Sequence, residues 1–120
     1  MESEESAEST SRIFTFEEAV ELFPQILGLT ERAVTDTAIV EAQVLALRPE
    51  SHRRQEFEAE YAGIVRDWAA KVMALGCEVK GLWLVDFDNG EGYYCWKYPE
   101  PEIGHFHDYM SGFSGRTKIR

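Results

Sequence analysis

Between residues 13 and 76 the apolar positions recur every three, four or seven residues. Leu22, Ile26, Leu29, Ala33, Val40, Val44 and Leu47 form one stripe, and Val20, Phe23, Leu27, Val34 and Ala38 widen it. Such spacings put side chains on one face of a helix. Ile13-Phe14-Thr15-Phe16-Glu17-Glu18 reads as the helix start. Thr15 is the expected N-cap, and Glu18 stands at the position that completes a capping box. Pro24 interrupts the pattern; it lacks a backbone donor and crowds the preceding turn, which predicts a kink, or a short helix followed by a long one. Arg48-Pro49-Glu50-Ser51 breaks the run, and a second stripe follows at Phe57, Tyr61, Ile64, Trp68, Val72 and Leu75. Gly76 stands where a helix C-terminus favours a left-handed residue. Two helices of roughly 45 and 36 Å, joined by a short connection, make an antiparallel hairpin.

After Gly76 the period falls to two. Cys77-Glu78-Val79-Lys80 alternates, and Leu82 to Phe87 is nearly continuous in β-forming residues. Asp88-Asn89-Gly90-Glu91-Gly92 is a hairpin turn signal. Tyr93 to Tyr98 returns as a second strand, which Pro99 and Pro101 stop. Ile103 to His107 predicts a third short strand; Asp108 to Gly112 turn, and Phe113 to Arg116 lead out. The fold class is therefore α+β: a long antiparallel helical hairpin followed by a small three- to four-stranded antiparallel β-meander. Residues 12–120 read as one domain, with the hairpin over 12–76 and the meander and C-terminal segment over 77–120. Residues 1–11, acidic and serine-rich, read as a disordered tail.

A chain of 120 residues has room for one core. Its 12 basic and 22 acidic residues give a net charge of −10, which argues against a nucleic-acid partner. No apolar run approaches the ~18 residues of a membrane span. The acidic N-terminus does not resemble a signal peptide, and two cysteines are too few for a disulfide scaffold. A cytoplasmic protein with free thiols is expected. The apolar stripe is too wide for two helices to bury alone. Its near-heptad spacing suits either the chain's own C-terminal half or a second copy, which makes a homo-oligomer the expected partner state.

Several residues are candidates for chemistry. His105 and His107, two apart on a strand, share a face. They can hold a divalent metal such as zinc if Glu100, Glu102, Asp108, Asp86 or Cys95 completes the shell; otherwise they are surface or hydrogen-bonded histidines. Asp86, inside an apolar strand, is either solvated or buried beside Arg116, Lys97 or a histidine. Glu100 and Glu102 flank Pro101 as an acid pair or as an exposed loop. Cys95 as a nucleophile needs His107 as its base. Arg116, in the basic C-terminal cluster with Lys118 and Arg120, is either solvated or folded in as an ion-pair or anion partner.

Val85-Asp86-Phe87, Tyr94-Cys95-Trp96, Glu100-Pro101-Glu102-Ile103, His107 and Gly112-Phe113-Ser114-Gly115-Arg116 follow one another over about thirty residues. With Phe14-Thr15-Phe16-Glu17-Glu18-Ala19 and Phe23-Pro24, this string resembles the small bacterial family known as domain of unknown function 2203. Tyr98-Pro99 and Phe106 depart from the family's pattern. The resemblance implies short cytoplasmic chains and no activity. It singles out Asp86, Cys95, Trp96, Glu100, His107 and Arg116. Three readings stand side by side. One is a self-associating interaction domain. Another is a small metal-dependent or acid/base enzyme, or a binder of a small anionic ligand: Glu100 and His107 are its catalytic groups, Arg116, Asp86, Cys95 and Trp96 its ligand contacts, His105 and His107 its metal ligands. The third is a buried polar network that fixes the C-terminal segment.

Overall fold

A computed structural model describes residues 11–119 of the chain. The tail predicted over 1–11 thus lies outside the described residues except for Ser11. The first helix, α1 (Phe16–Leu45), starts as its sequence predicts. The Thr15 backbone N–H donates to Glu18 Oε1 at 2.9 Å, and the Glu18 N–H donates to Thr15 Oγ1 at 3.1 Å. Pro24 lies inside this one helix instead of dividing a short helix from a long one. The carbonyl it leaves without a donor belongs to Val20, and both residues face solvent, where water can serve that oxygen. The second helix, α2 (Arg54–Ala74), returns along the first. Gly76 ends it in a left-handed conformation, with φ 99°.

The seam of α1 is Ala19, Ile26, Thr30, Ala33, Thr37 and Val40. Two threonines therefore sit inside a stripe that reads as apolar. Each is tolerated because its hydroxyl donates back to the helix, Thr30 to the Ile26 carbonyl at 2.8 Å and Thr37 to the Val34 carbonyl at 3.0 Å. Thr30 Oγ1 also accepts the Trp68 indole N–H at 2.8 Å, which pins α2 to α1.

Five antiparallel strands follow: β1 (Glu78–Gly81), β2 (Leu84–Asp88), β3 (Gly92–Lys97), β4 (His105–Asp108) and β5 (Thr117–Lys118). They pair in sequence order as a meander. The sheet exceeds the predicted three to four strands because the lead-out after Arg116 folds back, pairing Thr117 with Phe106 and Lys118 with His105. β1 and β2 are joined through Leu82 and Trp83, and Trp83 takes a φ of 59° that bulky residues seldom adopt.

One face of the sheet packs on the hairpin. Phe14 meets Phe87, Phe16 meets Tyr94 and Phe23 meets Trp96, each edge to face at 5.2–5.3 Å. Trp83 meets Trp68 at 4.8 Å. The main core cluster joins these to Ala19, Ile26, Ala33, Val72, Cys77, Val85 and Ile103, while Val40 and Phe57 are buried between the helices apart from it. The sheet thus covers the open end of the hairpin and leaves its closed end bare. No described helix is long and apolar enough to cross a membrane.

Candidate functional site

Strand alternation sends Asp86, Cys95, His105 and His107 to the face turned away from the helices. Asp86 pairs directly with Cys95, Cys95 with His105, and Tyr93 with His107. This outer face is nonetheless shielded at its centre: Asp86 is 1%, Cys95 0% and His107 3% exposed.

The C-terminal segment provides part of that cover. Asp108 Oδ1 accepts the Met110 N–H at 3.0 Å, the Ser111 N–H at 2.8 Å and the Ser111 hydroxyl at 2.6 Å, which turns the chain back on itself. Those bonds, the Ser111 hydroxyl first, hold the Asp108 carboxyl below its ordinary range. Tyr93 lies against His107 and Tyr109 against Tyr93, at 5.3 and 5.2 Å, while Lys80 Nζ sits 3.7 Å above the Tyr93 ring. Gly92 permits the close approach of β3 to β4, since a Cβ there would lie 2.5 Å from the His107 carbonyl oxygen.

Two groups form on this face. In the first, His107 Nε2 lies 2.8 Å and Lys80 Nζ 3.2 Å from Asp86 Oδ2. His107 Nδ1 lies 2.8 Å from the Asp108 carbonyl oxygen. The nearest ligand atoms of Asp86, Cys95 and His107 are all within 4.8 Å of one another. Asp86 Oδ1 is buried and accepts no hydrogen bond of good geometry among the described residues.

In the second, the Arg116 guanidinium grips Glu100 with both terminal nitrogens, Nη1 to Oε1 at 3.1 Å and Nη2 to Oε2. The Lys97 N–H also donates to Glu100 Oε1 at 2.9 Å. Arg116 Nη1 reaches Cys95 Sγ at 3.8 Å and so links the two groups.

The electrostatics follow from these contacts. Burial, reinforced by the charge of the Asp86 carboxylate and by the thiol's hydrogen bond to it, and opposed by Arg116, pushes the Cys95 thiol up to about 12. Cys95 is therefore held as a neutral thiol, not as the thiolate a nucleophile requires. Burial pushes Glu100 upward, but the hydrogen bonds from Arg116 and Lys97 and the charges of Arg116 and His105 outweigh it and hold the carboxyl low. In this structure the Glu100 carboxylate and the Arg116 guanidinium are therefore each other's charge partner.

The residues expected to act together are thus divided. Glu100 pairs with Arg116, and His107 pairs with Asp86 beside Cys95. His105 does not join His107: its Nδ1 is 3.8 Å from Glu100 Oε2, too far for a hydrogen bond, and has no other partner among the described residues. It borders a cavity of about 650 Å³ with Phe16, Ile103 and Lys118. Trp96, expected among the ligand contacts, has the opposite strand parity. It is wholly buried against Phe23, and its indole N–H donates to the Glu100 carbonyl at 2.7 Å. Glu102 is exposed.

The sequence reading missed Lys80 and the Tyr93 hydroxyl, which donates to Glu78 Oε1 at 3.1 Å. Parity along β1 puts Glu78 and Lys80 on the face of Asp86. Because Glu78 pairs directly with Asp86, Lys80 is a diagonal neighbour of Asp86, within a lysine's reach.

No match is found among curated proteins or among solved structures. The family model described as an uncharacterized conserved protein, DUF2203, matches residues 12–119, and the chain belongs to that family.

Proposed function

We propose that the protein is a self-associating structural module of the bacterial cytoplasm, in which two copies pack their helical hairpins against each other. The observation that carries this reading is the bare closed end of the hairpin. Residues 34–63 stand outside the cluster that the sheet covers, and there only Thr37, Val40 and Phe57 are buried between the helices. Leu45 is 86% and Ile39 56% exposed. Val40, Val44, Leu45, Phe57 and Tyr61, with Glu41 and Glu58 among them, line a largely apolar groove of about 570 Å³ between the helices. A helical pair with one uncovered apolar side gains stability from a third layer.

Charge favours a second copy of this chain as that layer. The hairpin tip, residues 47–54, carries Arg48, Arg53 and Arg54 against Glu50 alone. The adjoining shaft carries Glu31, Asp36 and Glu41 against Arg32 on α1, and Glu56, Glu58, Glu60 and Asp67 against Arg66 and Lys71 on α2. A two-fold, antiparallel pairing sets the basic tip of one copy against the acidic shaft of the other, twice over. The closed pairing of Glu100 with Arg116 fits a structural role for the sheet's polar groups.

Light scattering coupled to size exclusion tests the proposal. At tens of micromolar the protein is expected to elute at twice its chain mass, and Leu45→Glu at the chain mass with its helical circular dichroism intact. A wild-type monomer at that concentration overturns the reading.

A further inference from the structure

In the outer-face group of Asp86, Cys95 and His107, an imidazole nitrogen approaches a carboxylate oxygen so closely that a proton or a metal cation must lie between them. The Asp108 carbonyl oxygen, 2.8 Å from His107 Nδ1, can only accept, so Nδ1 carries its hydrogen. With that hydrogen placed, the neutral ring turns the lone pair of Nε2 toward Asp86 Oδ2 at 2.8 Å. Two acceptors at that distance need a positive centre between them. Either a proton fills the gap or a metal ion does. The same arrangement, with one ring nitrogen donating to a backbone carbonyl and the other aimed into a cluster of donors, orients histidines that bind metals.

The other members point the same way. Asp86 Oδ1 has no hydrogen bond of good geometry among the described residues; the Cys95 thiol beside the carboxylate is a weak donor to it, one that a metal ion bound to both would replace. Cys95 Sγ completes a sulfur, nitrogen and oxygen set whose atoms lie within 4.8 Å of one another. Each comes from a different central strand, so the backbone ladder presets the cluster. We propose that Asp86, Cys95 and His107 form a binding site for a divalent transition metal of the zinc class.

The donor set suits such an ion. Thiolate, imidazole and carboxylate bind zinc at ~2.0–2.3 Å, and thiolate disfavours magnesium and calcium. Binding expels two protons, one from the Cys95 thiol and one from the line between His107 and Asp86. The dication then meets one thiolate and one carboxylate, and the buried centre is left neutral. Lys80, 3.2 Å from Asp86 Oδ2, and Arg116, 3.8 Å from Cys95 Sγ, are placed as outer donors to two of the ligands. Three protein donors leave one position of a tetrahedral ion for water.

The test uses the full, untagged chain, reduced and stripped with chelator. Cobalt(II) is the spectroscopic probe, and zinc is titrated against a chromophoric chelator. The site predicts one ion per chain and a thiolate-to-cobalt charge-transfer band. The band should persist in Cys77→Ser and vanish in Cys95→Ser. His107→Gln and Asp86→Asn should each weaken zinc binding by more than about tenfold. If Cys95→Ser does not fold, the Cys77→Ser spectrum alone assigns the thiolate, since Cys95 is then the sole cysteine. Absence of the band in folded wild-type protein with excess cobalt overturns the proposal, as does its loss in folded Cys77→Ser or its survival in Cys95→Ser.

Discussion

At the sheet end of the molecule, Val85, Phe87, Cys95 and Trp96 are each 0% exposed, and Asp86 is 1% exposed. At the closed end of the hairpin, Leu45 is 86% exposed and a single seam holds the helices together. The same chain thus buries apolar and polar groups together at one end and leaves apolar groups uncovered at the other. Local stability follows such differences in contact density. The sheet end should open only with global unfolding, while an isolated hairpin tip should fray well below it.

Mutations can break this contrast or sharpen it. The largest effect is expected from Trp96→Ala, which empties a packed site on the inner face and should cost about 3–5 kcal/mol. Leu45→Ala, at the tip, should change monomer stability by less than about 0.5 kcal/mol. Chemical denaturation of the two variants, at a concentration low enough to keep the chain monomeric, measures the gap. Similar values would show that the two ends are equally packed.

Arg116→Ala comes next. It strips Glu100 of its charge partner and frees the C-terminal segment from the sheet, at a cost of about 1–3 kcal/mol. The pair also carries a pH signature. Because the Glu100 carboxyl is held below its ordinary value of 4.5, its stabilising contribution is full above that value and is lost as pH falls through the lower, folded-state value. Melting temperature measured down an acid series should therefore fall less steeply in Glu100→Gln than in the wild type. Identical slopes would remove Glu100 from the account.

A smaller loss than that of Trp96→Ala or Arg116→Ala falls on the helix seam. Thr30→Val keeps the shape but deprives the Trp68 indole of its acceptor, at about 1 kcal/mol. Amide exchange in α1 should rise more on the tip side of Thr30 than on the sheet side. A uniform rise would mean that the hairpin opens as one unit.

What could be read in the sequence was local. The capping box at Thr15 and Glu18, the left-handed Gly76 and the turn over 88–92 each follow from neighbouring residues. The shared face of His105 and His107 follows from strand parity. What escaped depended on partners distant in the chain. Thr30, absent from the apolar stripe, gains its place in the seam through Trp68, 38 residues later, which donates to it. Asp86 called for a cation or a histidine, yet that Lys80 would be the cation depended on the pairing of Glu78 with Asp86 across β1 and β2. Parity alone also could not show that His105 would turn to Glu100 while His107 turned to Asp86, because that depends on the path of the C-terminal segment over the sheet.

The indole pair of Trp68 and Trp83 has an optical consequence. Its rings stand edge to face, 4.8 Å apart, where the second helix meets the rim of the sheet. Chromophores this close couple excitonically and give a circular dichroism couplet that neither gives alone. The couplet would vanish once the rings part, even with both layers still folded. The native chain therefore carries its own gauge of whether its two halves are in contact, and needs no attached dye.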